Sequence, residues 1–85
     1  MTERAISYRD LADRLSRFGA VEDAARGKGG HRLWIRRLPD GRMARVAIPF
    51  HGAGRDVAFG IIRSVRRRLG LAMQDGVTDH GFYEG

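Results

Sequence analysis

There is no cysteine anywhere in the 85 residues. That excludes a disulfide framework and any zinc site built on thiolates. A chain this short has room for one domain and hides only about 60 to 65% of its unfolded surface, so packing alone must hold it together. No stretch approaches the roughly 18 consecutive apolar residues of a membrane span, and the opening MTERAISYRD is too charged for a signal peptide. A soluble, cytoplasmic protein with no membrane segment is the expectation. Acids are few and scattered: the ten show no pairing that would make a metal site, and His31, His51 and His80 do not stand at HxxxH spacing. No metal or other cofactor is expected. Ser7, Ser16 and Ser64 fall on predicted helices without a nucleophile elbow, which leaves serine acyl transfer poorly supported.

What the chain has is positive charge. Sixteen basic residues against ten acids give a net charge of +6, and residues 26 to 68 hold twelve bases against two acids, Asp40 and Asp56, a local balance of +10. Fifteen of the sixteen cations are arginine, whose planar fork of donors suits phosphate oxygens better than the point charge of lysine. An anionic partner follows from that balance, with a merely solvated basic face as the bland alternative.

Tyr8, Leu11, Ala12, Leu15 and Phe18 recur at helical spacing, predicting an amphipathic helix over 8 to 18. Ser7 is placed to cap its start and Gly19 to end it. AVEDAAR reads as a weak strand before a glycine-rich turn at 27 to 30. His31 to Arg37 alternates, with Leu33 and Ile35 on one side and Arg32, Trp34 and Arg36 on the other. A Leu38-Pro39-Asp40-Gly41 turn then leads into a returning strand, Met43 to Ile48, with Ala44, Val46 and Ile48 on one side. Val57, Ala58, Ile61, Ile62, Val65 and Leu69 give a second amphipathic helix. Gly60 within it implies either that the helix starts nearby or that a close contact forbids a side chain there. Gly70 and Leu71 close it.

The order is helix, three strands, helix: an α+β, two-layer α-β-β-β-α domain over residues 1–71. Its three-stranded antiparallel sheet carries both helices on one apolar face. Arg32, Trp34, Arg36 and Arg45 are then expected on the open face. Residues 72–85, with three acids in AMQDGVTDHGFYEG, read as a loose acidic tail.

With metal and serine chemistry unsupported, histidine and arginine are left. RNA brings its own nucleophile, the 2′-hydroxyl; a positioned histidine can take that proton, and arginines can offset charge at the phosphate. His31 sits beside glycines that let a phosphate approach the backbone. Its parity with Leu33 and Ile35 also admits a partly buried rim residue. Trp34, between Arg32 and Arg36, is either packing or a stacking platform for a base.

GKGGH (27 to 31), IPFHGAG (48 to 54) and GIIRSVRRRLGL (60 to 71), in that order in a short basic chain, resemble the HicA-type mRNA interferase toxins of bacterial toxin-antitoxin modules. The resemblance implies a fold like the double-stranded RNA-binding domain, metal-independent cleavage of mRNA, a catalytic histidine at His31, and a HicB-like antitoxin that covers the active site. Gly30 replaces the family's serine, Arg32 a frequent second histidine, and Ile61 a threonine. On this reading His31 is the general base, Lys28 and Arg32 bind the scissile phosphate, Arg36 and Arg63 hold flanking phosphates, Trp34 stacks on RNA, and His51 is a candidate acid. A non-catalytic RNA-binding module on the same fold is the alternative.

Overall fold

The computed structural model of the chain describes residues 3–23 and 29–85. Its elements run β1 (Ile6–Ser7), α1 (Tyr8–Arg17), β2 (Val21–Asp23), β3 (His31–Arg37), β4 (Met43–Pro49), β5 (Asp56–Val57), α2 (Phe59–Arg68), a 3-10 turn (Met73–Asp75) and α3 (Asp79–Tyr83). Strands β2, β3 and β4 form one antiparallel sheet in that order, and β1 and β5 a two-residue ribbon. The α+β core order matches the sequence expectation, with the ribbon and α3 added.

Local chemistry explains the helix boundaries. The Ser7 hydroxyl accepts from the Asp10 amide at 3.1 Å, capping α1. Both long helices end in Schellman turns: Ala20 N donates to Leu15 O, and Leu71 N to Arg66 O, with Gly19 and Gly70 at positive φ. Helix α2 begins at Phe59, so Gly60 lies in its first turn, and a Cβ there would touch nothing within 4 Å. The first of the two explanations for Gly60 therefore holds.

Leu11 and Leu15 of α1, Ile62 and Val65 of α2, and Trp34, Val46 and Ile48 of the sheet share one buried cluster. Both helices thus lie on one sheet face, in two layers. That face is the opposite one for β3 from the expectation. Register pairs Trp34 with Val46, Arg32 with Ile48 and Arg36 with Ala44, so Arg32, Trp34 and Arg36 point toward the helices. Leu33 and Ile35 share the outer face with exposed Arg45 and Ala47. Trp34 is 3% exposed, and its indole N–H donates to the Tyr8 hydroxyl at 3.0 Å. It is a core residue and not a base-stacking platform.

Arg36 reaches the inner layer because both helix ends supply acceptors. Its Nε donates to Phe18 O at 2.9 Å and its Nη1 to Leu69 O at 3.0 Å, so one guanidinium closes the C-termini of α1 and α2. Those carbonyls lack helical partners and carry the negative end of each helix dipole. The expected role in holding a flanking phosphate is corrected accordingly. Arg36→Met is expected to cost about 2 to 3 kcal/mol, since it removes two charge-assisted hydrogen bonds. Urea unfolding checks this.

Residues 72–85 are not a loose tail. Phe82 and Tyr83 on α3 are fully buried, and Phe82 stacks on Phe18 at 5.8 Å between centroids. Thr78 caps α3 by accepting from Gly81 N at 2.9 Å. Arg66, 4% exposed, ties this segment to α2: it donates to Leu71 O, Val77 O and Asp79 Oδ1 at 2.7 to 2.9 Å, and its guanidinium lies 4.9 Å from the Phe82 ring centre.

Candidate active site

One end of the sheet gathers the residues that can do chemistry. His31 opens β3 opposite Pro49, and Phe50 N donates to Gly30 O, carrying the pairing one step past the strands. His51 follows directly. The connector after β4 then folds onto the start of α1, where Tyr8 N donates to Arg55 O and Arg9 N to Ala53 O, both at 2.9 Å. His31, His51, Arg9 and Arg55 are all exposed. The expected strand AVEDAAR is realised over Val21–Asp23. Ala24, Ala25 and Arg26, together with Gly27 and Lys28, lie outside the described residues.

The base of this end is a packed, hydrogen-bonded network. Tyr8 packs edge-on against Phe50 with centroids 4.8 Å apart, and its hydroxyl donates to Glu22 Oε1 at 3.1 Å while accepting from Trp34. Arg32 lies 4.1 Å from the Phe50 ring centre and 3.5 Å from Glu22 Oε2. Strand alternation sends the Arg32 side chain to the face away from His31. It serves the inner network and is not placed beside His31 as a shared phosphate ligand. Arg63 stands on α2 with its fork taken by Glu3 at 2.6 and 2.9 Å, a pairing that holds the Glu3 carboxyl below the ordinary range.

Gly30 has room for a side chain. Its backbone is not in the left-handed region, and a Cβ would lie 3.7 Å from Phe50 O, an ordinary contact. The neighbouring Gly29 has φ +58° and is the residue that the turn requires to be glycine. Arg9 and Arg55 were not singled out from sequence: nothing local marks them, and it is the backbone bonding between the connector and α1, with the adjoining β1–β5 ribbon, that brings them to this end.

Burial raises the Tyr8 hydroxyl above its usual 10.0, against the opposing effect of the Trp34 N–H, and burial likewise raises Tyr83. A folded pKa above the unfolded one means stability that is full below pH 10 and is lost as pH rises through the folded values. Denaturation midpoints are therefore expected to fall as pH rises above the ordinary tyrosine value of 10.0, and Tyr8→Phe should flatten part of the fall.

A family model described as "HicA toxin of bacterial toxin-antitoxin" matches residues 8–71. The chain belongs to the HicA toxin family. The matched span runs from the first residue of α1 to the Leu71 that closes α2, so it contains the whole sheet and the end where His31 sits. Comparison with curated proteins and with solved structures returned no match. The α+β arrangement agrees with the double-stranded RNA-binding-domain-like fold of HicA toxins, and membership in a toxin-antitoxin family points to an antitoxin partner. No helix among the described residues is long and apolar enough to cross a membrane.

Proposed function

We propose that this HicA toxin is a metal-independent endoribonuclease that cleaves mRNA, with His31 as the general base, and that a HicB-like antitoxin neutralises it. The observation that carries the reading is an exposed histidine at the sheet end where His51 and the described cations Arg9 and Arg55 also emerge. His31 takes the proton of the 2′-hydroxyl, whose oxygen attacks the adjacent phosphorus. The 5′-oxygen leaves as His51 returns a proton to it. Arg9, Arg55 and Lys28 hold phosphates in place of Arg32 and Arg36, whose guanidiniums are spent on the fold. Arg63 contributes to a flanking phosphate only where RNA displaces Glu3.

Induction of the wild-type chain in a bacterial host is expected to arrest growth with fragmentation of mRNA, and His31→Ala to do neither. Equal arrest by both, with intact RNA, would reject the assignment. Gly30→Ser provides a gentler test. Because the site accepts a Cβ, the variant is expected to melt within about 0.5 kcal/mol of wild type and to cleave RNA at least as fast. Slower cleavage at unchanged stability would argue against a role for a hydroxyl beside His31.

A further inference from the structure

The chain has one tryptophan, two tyrosines and four phenylalanines, and the fold takes up all of these rings except one. Tyr8, Trp34, Phe82 and Tyr83 are buried, and Phe18 and Phe50 pack against the same core. Phe59, the first residue of α2, is 49% exposed. Its surroundings are open: Ala58 and Gly60 flank it in sequence, and a Cβ at Gly60 would meet nothing within 4 Å. Arg63, one turn along, holds its guanidinium 5.6 Å from the ring centre while its fork is turned to Glu3. Ile61 is exposed too, but residues two apart on a helix do not face each other, so the pair does not merge into an apolar patch.

The far end of α2 fixes where this ring lies. Arg36 donates to Leu69 O there, and the helix packs against β4. Back from Leu69 to Phe59 is about 15 Å of helix, and back from Arg36 to His31 is about 17 Å of strand. The β1–β5 ribbon agrees, because it seats Val57 beside Ile6, just before the Tyr8 that packs on Phe50. The start of α2 therefore lies at the same end of the sheet as His31. Between them runs the connector, with His51 and Arg55 exposed. Asp56 in the connector and Glu3 on Arg63 stand along this path as counter-charges. A cationic path that leads to an open aromatic ring suits a single nucleic-acid strand, with cations for the backbone and the ring for a base. A protein partner would need a contiguous apolar centre around the ring, and Arg55, Asp56, Gly60 and Arg63 supply none. We infer that Phe59 is a positioning residue that stacks on a base of the RNA. His31 has the outer-face parity of Leu33 and Ile35, whereas α2 lies on the inner face, so the base belongs to a nucleotide flanking the cleaved step. This assignment rests on the proposed RNA substrate and deepens it by naming the ring that takes the stacking role which buried Trp34 does not fill.

The test is fluorescence anisotropy of the full chain with a labelled single-stranded 2′-O-methyl oligonucleotide, which lacks the nucleophile, and with a base-free backbone of the same length. Wild type is compared with Phe59→Leu and Phe59→Tyr. Phe59 lies outside the buried cluster, so both variants are expected to melt as wild type does. Phe59→Leu is expected to bind the oligonucleotide at least about fivefold more weakly, the low end for loss of one base stack, and to keep its salt dependence because no phosphate contact is removed. Phe59→Tyr keeps the ring and is expected to bind as wild type does. On the base-free backbone all three proteins should bind alike. Equal affinity of wild type and Phe59→Leu for the oligonucleotide would overturn the inference, as would an equal loss in Phe59→Tyr or a loss that persists on the base-free backbone. Cleavage assays on unmodified RNA separate this from the ribonuclease reading. Wild type that binds RNA without cutting it rejects that reading, while the anisotropy pattern above still supports the stack. Wild type that cuts RNA beside a Phe59→Leu variant of unchanged affinity keeps the ribonuclease and rejects the stack. Wild type that does not bind the oligonucleotide at low salt overturns both.

Discussion

Arg66→Met is expected to lose about 3 to 4 kcal/mol, while Arg67→Met and Arg68→Met, one and two positions along the same helix, change stability by less than about 0.5 kcal/mol. The three arginines are adjacent in sequence, yet only Arg66 is buried. Its guanidinium satisfies two backbone carbonyls and the Asp79 carboxylate, and covers the Phe82 ring. Methionine would fill part of the volume but leave Leu71 O and Val77 O without that donor. The Asp79 carboxylate is 43% exposed and can rehydrate, which keeps the cost below the upper end for a broken buried pair. Domains of this size hold roughly 4 to 13 kcal/mol in total, so the loss is a large share. It corresponds to a fall in melting temperature of about 12 to 32 °C. Urea unfolding of the three single variants checks the ranking; equal stability of Arg66→Met and Arg67→Met would mean that α3 is not held as described.

His31→Ala is expected to act in the opposite way, abolishing activity while leaving the fold alone. The side chain is exposed at a strand end and takes part in none of the core contacts, so stability should shift by no more than about 0.5 kcal/mol. A general base contributes about 10²- to 10⁴-fold to rate, or roughly 3 to 5 kcal/mol of activation free energy. Cleavage should fall by at least 100-fold. RNA affinity, which depends mainly on the arginines, should change little, and it should keep its dependence on salt. The pair of variants separates the residues that hold the fold, Arg66 and Arg36, from His31, whose proposed role is toward the substrate.

Much of this was legible from sequence where local chemistry decides structure. Helix α1 carries its own cap, apolar stripe and terminating glycine, and all three act as read. The hairpin after Arg37 forms with the turn anticipated at Leu38 to Gly41. The face of β3 was misassigned because alternation alone gives two apolar residues, Leu33 and Ile35, against one, Trp34, between arginines. Two facts outweigh that count. A tryptophan buries more apolar area than either aliphatic neighbour, and the flanking arginines find inward partners: Phe50 and Glu22 for Arg32, helix-end carbonyls for Arg36. A usable signal was present. The five residues between Arg37 and Met43 set a register in which Trp34 meets Val46, and Val46 was already placed on the core side.

The C-terminal segment was missed for a different reason. A five-residue helix has too little length to show a period, and its acids and glycines mask the adjacent aromatics Phe82 and Tyr83. Its anchor, Arg66, belongs to another element, and no local pattern reveals that pairing. In the candidate site, His31 was visible from the glycine turn that precedes it. Arg9 and Arg55 were not, because their placement depends on the connector after β4 meeting the start of α1.

His31 is proposed to make this toxin an RNA-cleaving enzyme. Incubating a labelled single-stranded RNA with purified wild type and His31→Ala, in excess chelator, tests it most directly. Wild type is expected to cleave in the presence of chelator, and the variant to cleave at least 100-fold more slowly at equal folding and equal RNA affinity. Binding without cleavage by wild type, or matching rates for the two proteins, would contradict it.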